Sequence, residues 1–249
     1  MSWHDRADGY RIFFNRDERR QRARERPPVV DERDGTRFIA PRDGEAGGSW
    51  IAVNEHGLSL CLLNGFPEGV APSATDGRSY TSRGELPVSL IGFHTTSSIA
   101  ERLRSLDLRY YRPFVLVAFA PAATGLVADW SGATLELEEH RPRTRPLVSS
   151  SFYTESVRDS RVAVYRQLVE GRETGSAAAH RAFHASHTPE RGPHSPCMHR
   201  PDAHTVSFSG ISVDRDEVRF YYAPNSPCRG LPGAPQLSLA RRSAHAPTQ

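Results

Sequence analysis

Short segments of alternating apolar and polar residues arrive in this chain in clusters, with blocks of helical periodicity between the clusters. Residues 10–14 read as a strand, as do 50–54 and 58–64 around the turn Glu55-His56-Gly57. Residues 85–91 and 97–106 follow at helical spacing, Ser97 placed to cap the second and Ile99, Leu103 and Leu106 along one stripe. Three strands, 114–120, 125–130 and 134–138, with a turn at Gly132, read as a meander, and residues 156–170 and 177–183 return to helix. Residues 205–213 and 217–223 then flank Asp214-Arg215-Asp216 as a hairpin. Strict strand–helix alternation would give a doubly wound parallel sheet. Clusters of strands separated by helices predict instead antiparallel sheets stacked face to face with helices outside, an α+β class.

Composition narrows the setting. A chain of 249 residues, 37% hydrophobic and 24% charged, suffices for one two-sheet domain. The expectation is a single domain over residues 1–230 and an unstructured tail over 231–249. Mean hydropathy is −0.55 and no long apolar run exists, so no integral membrane segment is expected. Residues 1–6 carry charge where an export signal needs an apolar stretch. Cys61, Cys197 and Cys228 are odd in number and widely spaced, which suits free thiols in a reducing compartment, so a cytoplasmic location is expected. All basic side chains are arginine, which reads as the codon bias of a GC-rich genome. The formal charge of +3 is too small for a field that gathers nucleic acid, so no nucleic-acid partner is expected.

An ordered series of motifs points further. Asn15-Arg16-Asp17-Glu18 follows the first aromatic strand, Pro27-Pro28 comes next, then Gly47-Gly48-Ser49-Trp50-Ile51-Ala52-Val53-Asn54, then Gly57-Leu58 leading to Leu62-Leu63-Asn64. The series resembles the NRDE family, bacterial relatives of transport and Golgi organisation protein 2. Segments 195–200 and 202–207 extend the likeness toward Cys228. The resemblance implies an αββα four-layer sandwich similar to the N-terminal-nucleophile (Ntn) hydrolases. A second likeness, to choloylglycine hydrolases, implies that Arg16 and Asp17 match the Arg and Asp of that site. By the same likeness, Asn64 matches the oxyanion position beside Gly65-Phe66-Pro67. In such a site the α-amine of a terminal Cys, Ser or Thr serves as base for its own side chain, and amide donors hold the oxyanion. Family members usually begin Met-Cys-Thr, whereas this chain begins Met1-Ser2-Trp3, so in-frame codons for such a segment are expected just before Met1. Ser2 is displaced by an odd number of residues, which turns its side chain to the opposite face of a strand.

The resemblance therefore implies a catalytic set of Ser2, Asn15, Arg16, Asp17, Glu18 and Asn64, and a substrate-binding set of Trp50, Phe66, Pro67, Ser150, His199 and Arg200. Residues 15–18 alone also read as a solvated turn with an ion pair. If the strand continues, Asn15 and Asp17 face one side and Arg16 the other. The first functional reading is a hydrolase of a linear amide or acyl thioester. Its rival is non-catalytic binding or trafficking of haem or acyl-coenzyme A in the same pocket, and a third is an interaction protein using its arginine-rich segment. In that segment, Arg16 to Arg26, acidic residues interleave and no aromatic residue stands ready to stack on bases. Residues 70–82 read as an exposed loop, a candidate lid. His180 and His184 share a helical face, and further histidines run to His204, yet the spacings match no tight zinc signature. The loop histidines near Pro189 and Pro193 are read as exposed, with no metal and no cofactor expected.

Overall fold

The computed structural model describes residues 1–66, 79–151, 154–170 and 176–242. Among the described residues are twelve strands: β1 (Ser2–Arg6), β2 (Gly9–Arg19), β3 (Arg26–Arg33), β4 (Thr36–Arg42), β5 (Ile51–Asn54), β6 (Ser59–Asn64), β7 (Phe114–Phe119), β8 (Gly125–Trp130), β9 (Leu135–Glu138), β10 (Ala203–Val213), β11 (Glu217–Ala223) and β12 (Leu237–Ala240). The helices are α1 (Glu85–Leu90), α2 (Thr96–Ser105), α3 (Thr154–Tyr165), which runs on as a wider π turn over Arg166–Glu170, and α4 (Ala177–Ala185). All strand pairs are antiparallel, in a five-stranded sheet ordered β1-β2-β10-β11-β12 and a seven-stranded sheet ordered β3 through β9.

Side-chain alternation builds the layers. In β6 and β7, Leu60, Leu62, Leu116 and Ala118 face outward onto Leu86, Leu90, Ile99 and Leu103 of α1 and α2. Their neighbours Cys61, Leu63, Val117 and Phe119 face inward onto Trp3, Ile12, Ile211 and Phe220 of the five-stranded sheet. Both faces of β6 are buried, so the segment Ser-Leu-Cys-Leu-Leu reads as a continuous apolar run. Val164 and Tyr165 of α3 meet Ala179 and Phe183 of α4 on the far side, and α4 lies on β1 and β2. The result is the αββα order expected. Tyr10 ties the sheets together: its hydroxyl lies 2.7 Å from both Gly57 O and Ser59 Oγ, with Phe119 O at 3.2 Å.

The Gly47-Gly48-Ser49 motif has a steric cause. Gly47 has φ +70, and a Cβ on Gly48 would lie 2.4 Å from the carbonyl carbon of Gly84. Ser49 N donates to Gly84 O at 2.8 Å, so the loop before α1 sits directly on this turn.

Several expectations are corrected. Strand β2 continues through Arg19, so residues 15–18 are strand rather than turn. The β3–β4 hairpin was not expected; its Asp34-Gly35 turn has φ 52 and 76, the left-handed pair that closes a tight hairpin. Thr95 rather than Ser97 caps α2, its side chain accepting from Ser98 N. Residues 237–240 are not an unstructured tail: they pair with β11, and Leu239 is buried in the inter-sheet core. Of the candidate lid, residues 70–78 lie outside the described residues, while Thr81 bridges to Tyr111.

Candidate functional site

Because β2 runs straight through residues 15–18, its polar side chains divide between two faces. Arg16 turns toward the seven-stranded sheet and is almost fully buried. Its guanidinium lies 4.3 Å from the centre of the Trp50 ring. It donates to Asp43 at 2.5 Å and Glu25 at 3.0 Å, with Glu18 at 3.4 Å. Asp43 also accepts from Arg22 through both oxygens at 2.9 Å, and from the amides of Glu45 and Ala46. Burial works against the charged carboxyl, but the Arg22 hydrogen bonds, the Ala46 amide and the two arginine charges outweigh it and hold the pKa at about 2. The remaining oxygen of Glu25 accepts from Tyr222 at 3.0 Å. This is an ion network in which both terminal nitrogens of Arg16 meet carboxylates while its guanidinium lies over an aromatic face. Asp43 had no place in the sequence reading, and Glu25 entered it only as one of the acids interleaved with the arginines; the signal available for Asp43 was an Asp-Gly pair just ahead of Gly47-Gly48.

Asn15 and Asp17 turn the other way, toward the helices. The Asn15 amide donates to His184 O and Pro196 O, both at 2.9 Å. Asp17 accepts from Thr205 Oγ1 at 2.6 Å and from Arg161 of α3 at 3.4 Å. On the same face, the Ser2 hydroxyl is completely buried between His180 Nδ1 at 2.8 Å and His184 Nε2 at 2.9 Å. Burial lowers the pKa of His180 to about 4, and neighbouring cations add to it. Burial likewise holds His184 well below the usual range, so both rings are neutral near pH 7. The pair that shares a helical face in the sequence thus grips Ser2, and both rings are buried.

Beyond Ser2, the Met1 amine donates to Leu147 O at 2.6 Å. Burial lowers its pKa to about 5, the Arg161 charge adds to the effect, and Cys61 and Asp17 oppose it. At the end of β6, the side chain of Asn64 is exposed, and its carbonyl accepts from Ser149 Oγ at 2.5 Å. Phe66 and Ser150 are half-buried, and Pro67 lies outside the described residues. Arg200 pairs with Asp202 at 2.6 Å in the loop before β10. His199 lies with Cys197 and Cys228 rather than with any residue of β2's middle. The eleven expected site residues that are described therefore do not converge on one point; they fall into the Arg16–Trp50 network, the Asn15–Asp17–Ser2 face and separate loops.

Two other features are built by the fold. A cavity of about 380 Å³ opens on the helix-facing side of the five-stranded sheet, between α4 and the segment at Gly233. Phe13, Phe208 and Tyr221 form an apolar wall around Gly210, and Arg11 and Arg181 stand at its edge. Among the described residues, neither arginine has a carboxylate partner within ion-pair distance. Elsewhere, the ligand atoms of His187, Cys197, His199 and Cys228 all lie within 4.8 Å of one another, so among the described residues these four are arranged to hold a metal.

The comparisons bear on this geometry. Residues 2–154 match the family model described as Transport and Golgi organisation 2. The chain belongs to that family. The resemblance carried by Asn15–Glu18 and the glycine–tryptophan segment therefore holds. No curated protein matches by sequence. Among solved structures, the chain is similar to penicillin V acylase from Agrobacterium tumefaciens, with TM-score 0.51 and 13% identity over 89% of this chain and 82% of that one. It is also similar to a variant of conjugated bile acid hydrolase from Clostridium perfringens, with TM-score 0.48 and 12% identity over 90% of this chain and 89% of that one. The first likeness shows that the fold is of the Ntn-hydrolase type. Among the described residues, no helix is long and apolar enough to cross a membrane.

Proposed function

We propose that this chain binds an amphipathic anion, an acyl group bearing a carboxylate or phosphate in the class of acyl-coenzyme A, and does not hydrolyse it through Ser2. The observation that supports this reading is the cavity beside α4: an apolar wall of Phe13, Phe208 and Tyr221 edged by Arg11 and Arg181. An acyl chain fits the wall, and guanidinium forks suit phosphate or carboxylate oxygens. The cavity lies on the helical side of the five-stranded sheet rather than between the two sheets. No histidine, cysteine or methionine is among its lining residues, so haem would find only Tyr221 as an axial ligand there. A fluorescent acyl anion titrated into the protein is displaced by acyl-coenzyme A under this reading. Each charge-assisted contact contributes about 1.5–3 kcal/mol, so Arg11→Ala or Arg181→Ala weakens binding by roughly tenfold or more. Unchanged affinity in the double variant rejects the assignment.

Hydrolysis of an acyl amide or acyl thioester is the second reading. The largely deprotonated Met1 amine beside Asp17 and Arg161 favours it, since a free amine near neutral pH is the base that such chemistry uses. The reaction then needs a nucleophile at that end other than Ser2. Acyl amides and thioesters offered to this chain, to Ser2→Ala and to a version extended by Met-Cys-Thr separate the cases. Turnover confined to the extended protein supports hydrolysis by a terminal cysteine, and turnover abolished by Ser2→Ala makes Ser2 itself the nucleophile and overturns its exclusion from the chemistry.

A further inference from the structure

The four residues His187, Cys197, His199 and Cys228 come from three separate places in the chain. His187 follows the end of α4, Cys197 and His199 lie in the loop entering β10, and Cys228 sits on a short 3-10 turn, Pro227–Arg229, after β11. Hydrogen bonds hold the segments that carry them. Cys197 N donates to Ser186 O at 3.0 Å, next to His187. His199 N donates to Gly192 O at 3.2 Å, and the Ser195 hydroxyl bridges Gly192 O and Cys197 O at 3.0 and 2.8 Å. Ser226 Oγ donates to Thr205 O at 2.6 Å and moors the turn that carries Cys228 to the start of β10.

We infer that these four side chains form a closed, tetrahedral Cys2His2 site for a zinc ion. Bonds of about 2.3 Å to sulfur and about 2.0–2.1 Å to nitrogen place neighbouring sulfur and nitrogen ligands roughly 3.5 Å apart at the tetrahedral angle. The observed separations from His199 Nε2 are 3.5 Å to Cys197 Sγ and 3.6 Å to Cys228 Sγ. The rings of His187 and His199 stand 5.1 Å apart, centre to centre, at 72°. His187 Nε2 is buried without a hydrogen-bond partner among the described residues, a costly arrangement that a metal bond relieves. Two thiolates and two neutral imidazoles leave the loaded site without net charge. All four positions of the ion are filled by protein, which marks a structural rather than a catalytic zinc. The ion cross-links the end of α4 to the entry of β10 and the exit of β11.

Metal content by mass spectrometry of protein purified without chelator tests this, with about one zinc per chain expected. Cys197→Ser and Cys228→Ser lose the metal, whereas Cys61→Ala keeps it. Because a ligand variant can misfold, the wild-type protein carries a second measurement. Cobalt added to the metal-free protein gives thiolate-to-metal charge-transfer absorption and the visible bands of a tetrahedral site, and zinc displaces them. A Cys197–Cys228 disulfide in a non-reduced peptide map, absence of both zinc and the cobalt spectrum, or full zinc retention in the two serine variants overturns the inference.

Discussion

Ser2 and His184 are joined by a 2.9 Å hydrogen bond that holds the Ser2 hydroxyl on the helical side of β1, while the adjacent Trp3 is buried between the sheets. A hydroxyl fixed there acts in folding. Ser2→Ala leaves His180 Nδ1 and His184 Nε2 without their partner, at about 1–3 kcal/mol. Thermal unfolding registers that loss, and any acyl hydrolysis by the protein is unchanged.

The Arg16 network gives a second expectation. If Arg16 and Asp17 faced one ligand site, alanine at either position would impair binding more than stability. Arg16 is instead enclosed by carboxylates and Trp50, so Arg16→Ala leaves Glu25 without a cation and removes one of the two arginines that hold Asp43, at a cost of about 3–5 kcal/mol. Arg16→Lys recovers only part of it, since one ammonium cannot serve Glu25 and Asp43 in the same fork geometry. Chemical denaturation of the two variants, alongside acyl-anion binding, checks this; a binding defect with wild-type stability contradicts it.

Acid sensitivity follows from the buried imidazoles. His180 titrates at about 4 and His184 well below the usual range when folded, against about 6.5 when unfolded. The unfolded chain binds more protons in that window, so stability falls as pH drops from about 6.5 toward 4. Asp43 adds a second loss at lower pH: its folded pKa is about 2, so its contribution is present above about 4 and fades as pH falls through 2. His180→Asn and His184→Gln keep a polar atom near Ser2 but do not titrate. The denaturation midpoint of this pair flattens between pH 6.5 and 4, and an unaltered slope refutes the assignment.

Gly210 offers a direct probe of the cavity. A Cβ there would lie 3.3 Å from Tyr221 Cβ and 3.5 Å from the Phe208 ring, close but not clashing. Gly210→Leu therefore fills the space at a cost of about 1–3 kcal/mol. Displacement titration then shows acyl-anion binding weakened by at least tenfold, whereas equal affinity places the ligand elsewhere.

Where side-chain alternation and burial coincide, the sequence was readable: β8 and β11 fall on the expected residues, and the two sheets with outer helices follow from the clustering of strands. The Asn15–Glu18 strand was obscured because its charges are satisfied by residues distant in sequence, Asp43 on one face and Arg161 on the other. β3 was hidden by exposed residues on both faces and by Pro27-Pro28, although Asp34-Gly35 carried the turn signal. Ser2 was legible as a candidate, since it stands near the start, where the family usually reads Met-Cys-Thr. Its clasp by α4 was not, because that helix lies far along the chain. The same holds for His187, Cys197, His199 and Cys228, whose spacing has no pattern until β10 and β11 pair.

The short strand β12 has a consequence for handling the protein. Val218, Phe220 and Tyr222 alternate along β11, and β12 covers that strand with only four residues. Proteolysis or trimming between Gly230 and Leu237 would trade this short border for an uncovered seven-residue one, a row of open donors and acceptors beside aromatic side chains. Such a cleaved protein is a template for intermolecular strand addition, and its first symptom would be aggregation on storage rather than any change in ligand chemistry.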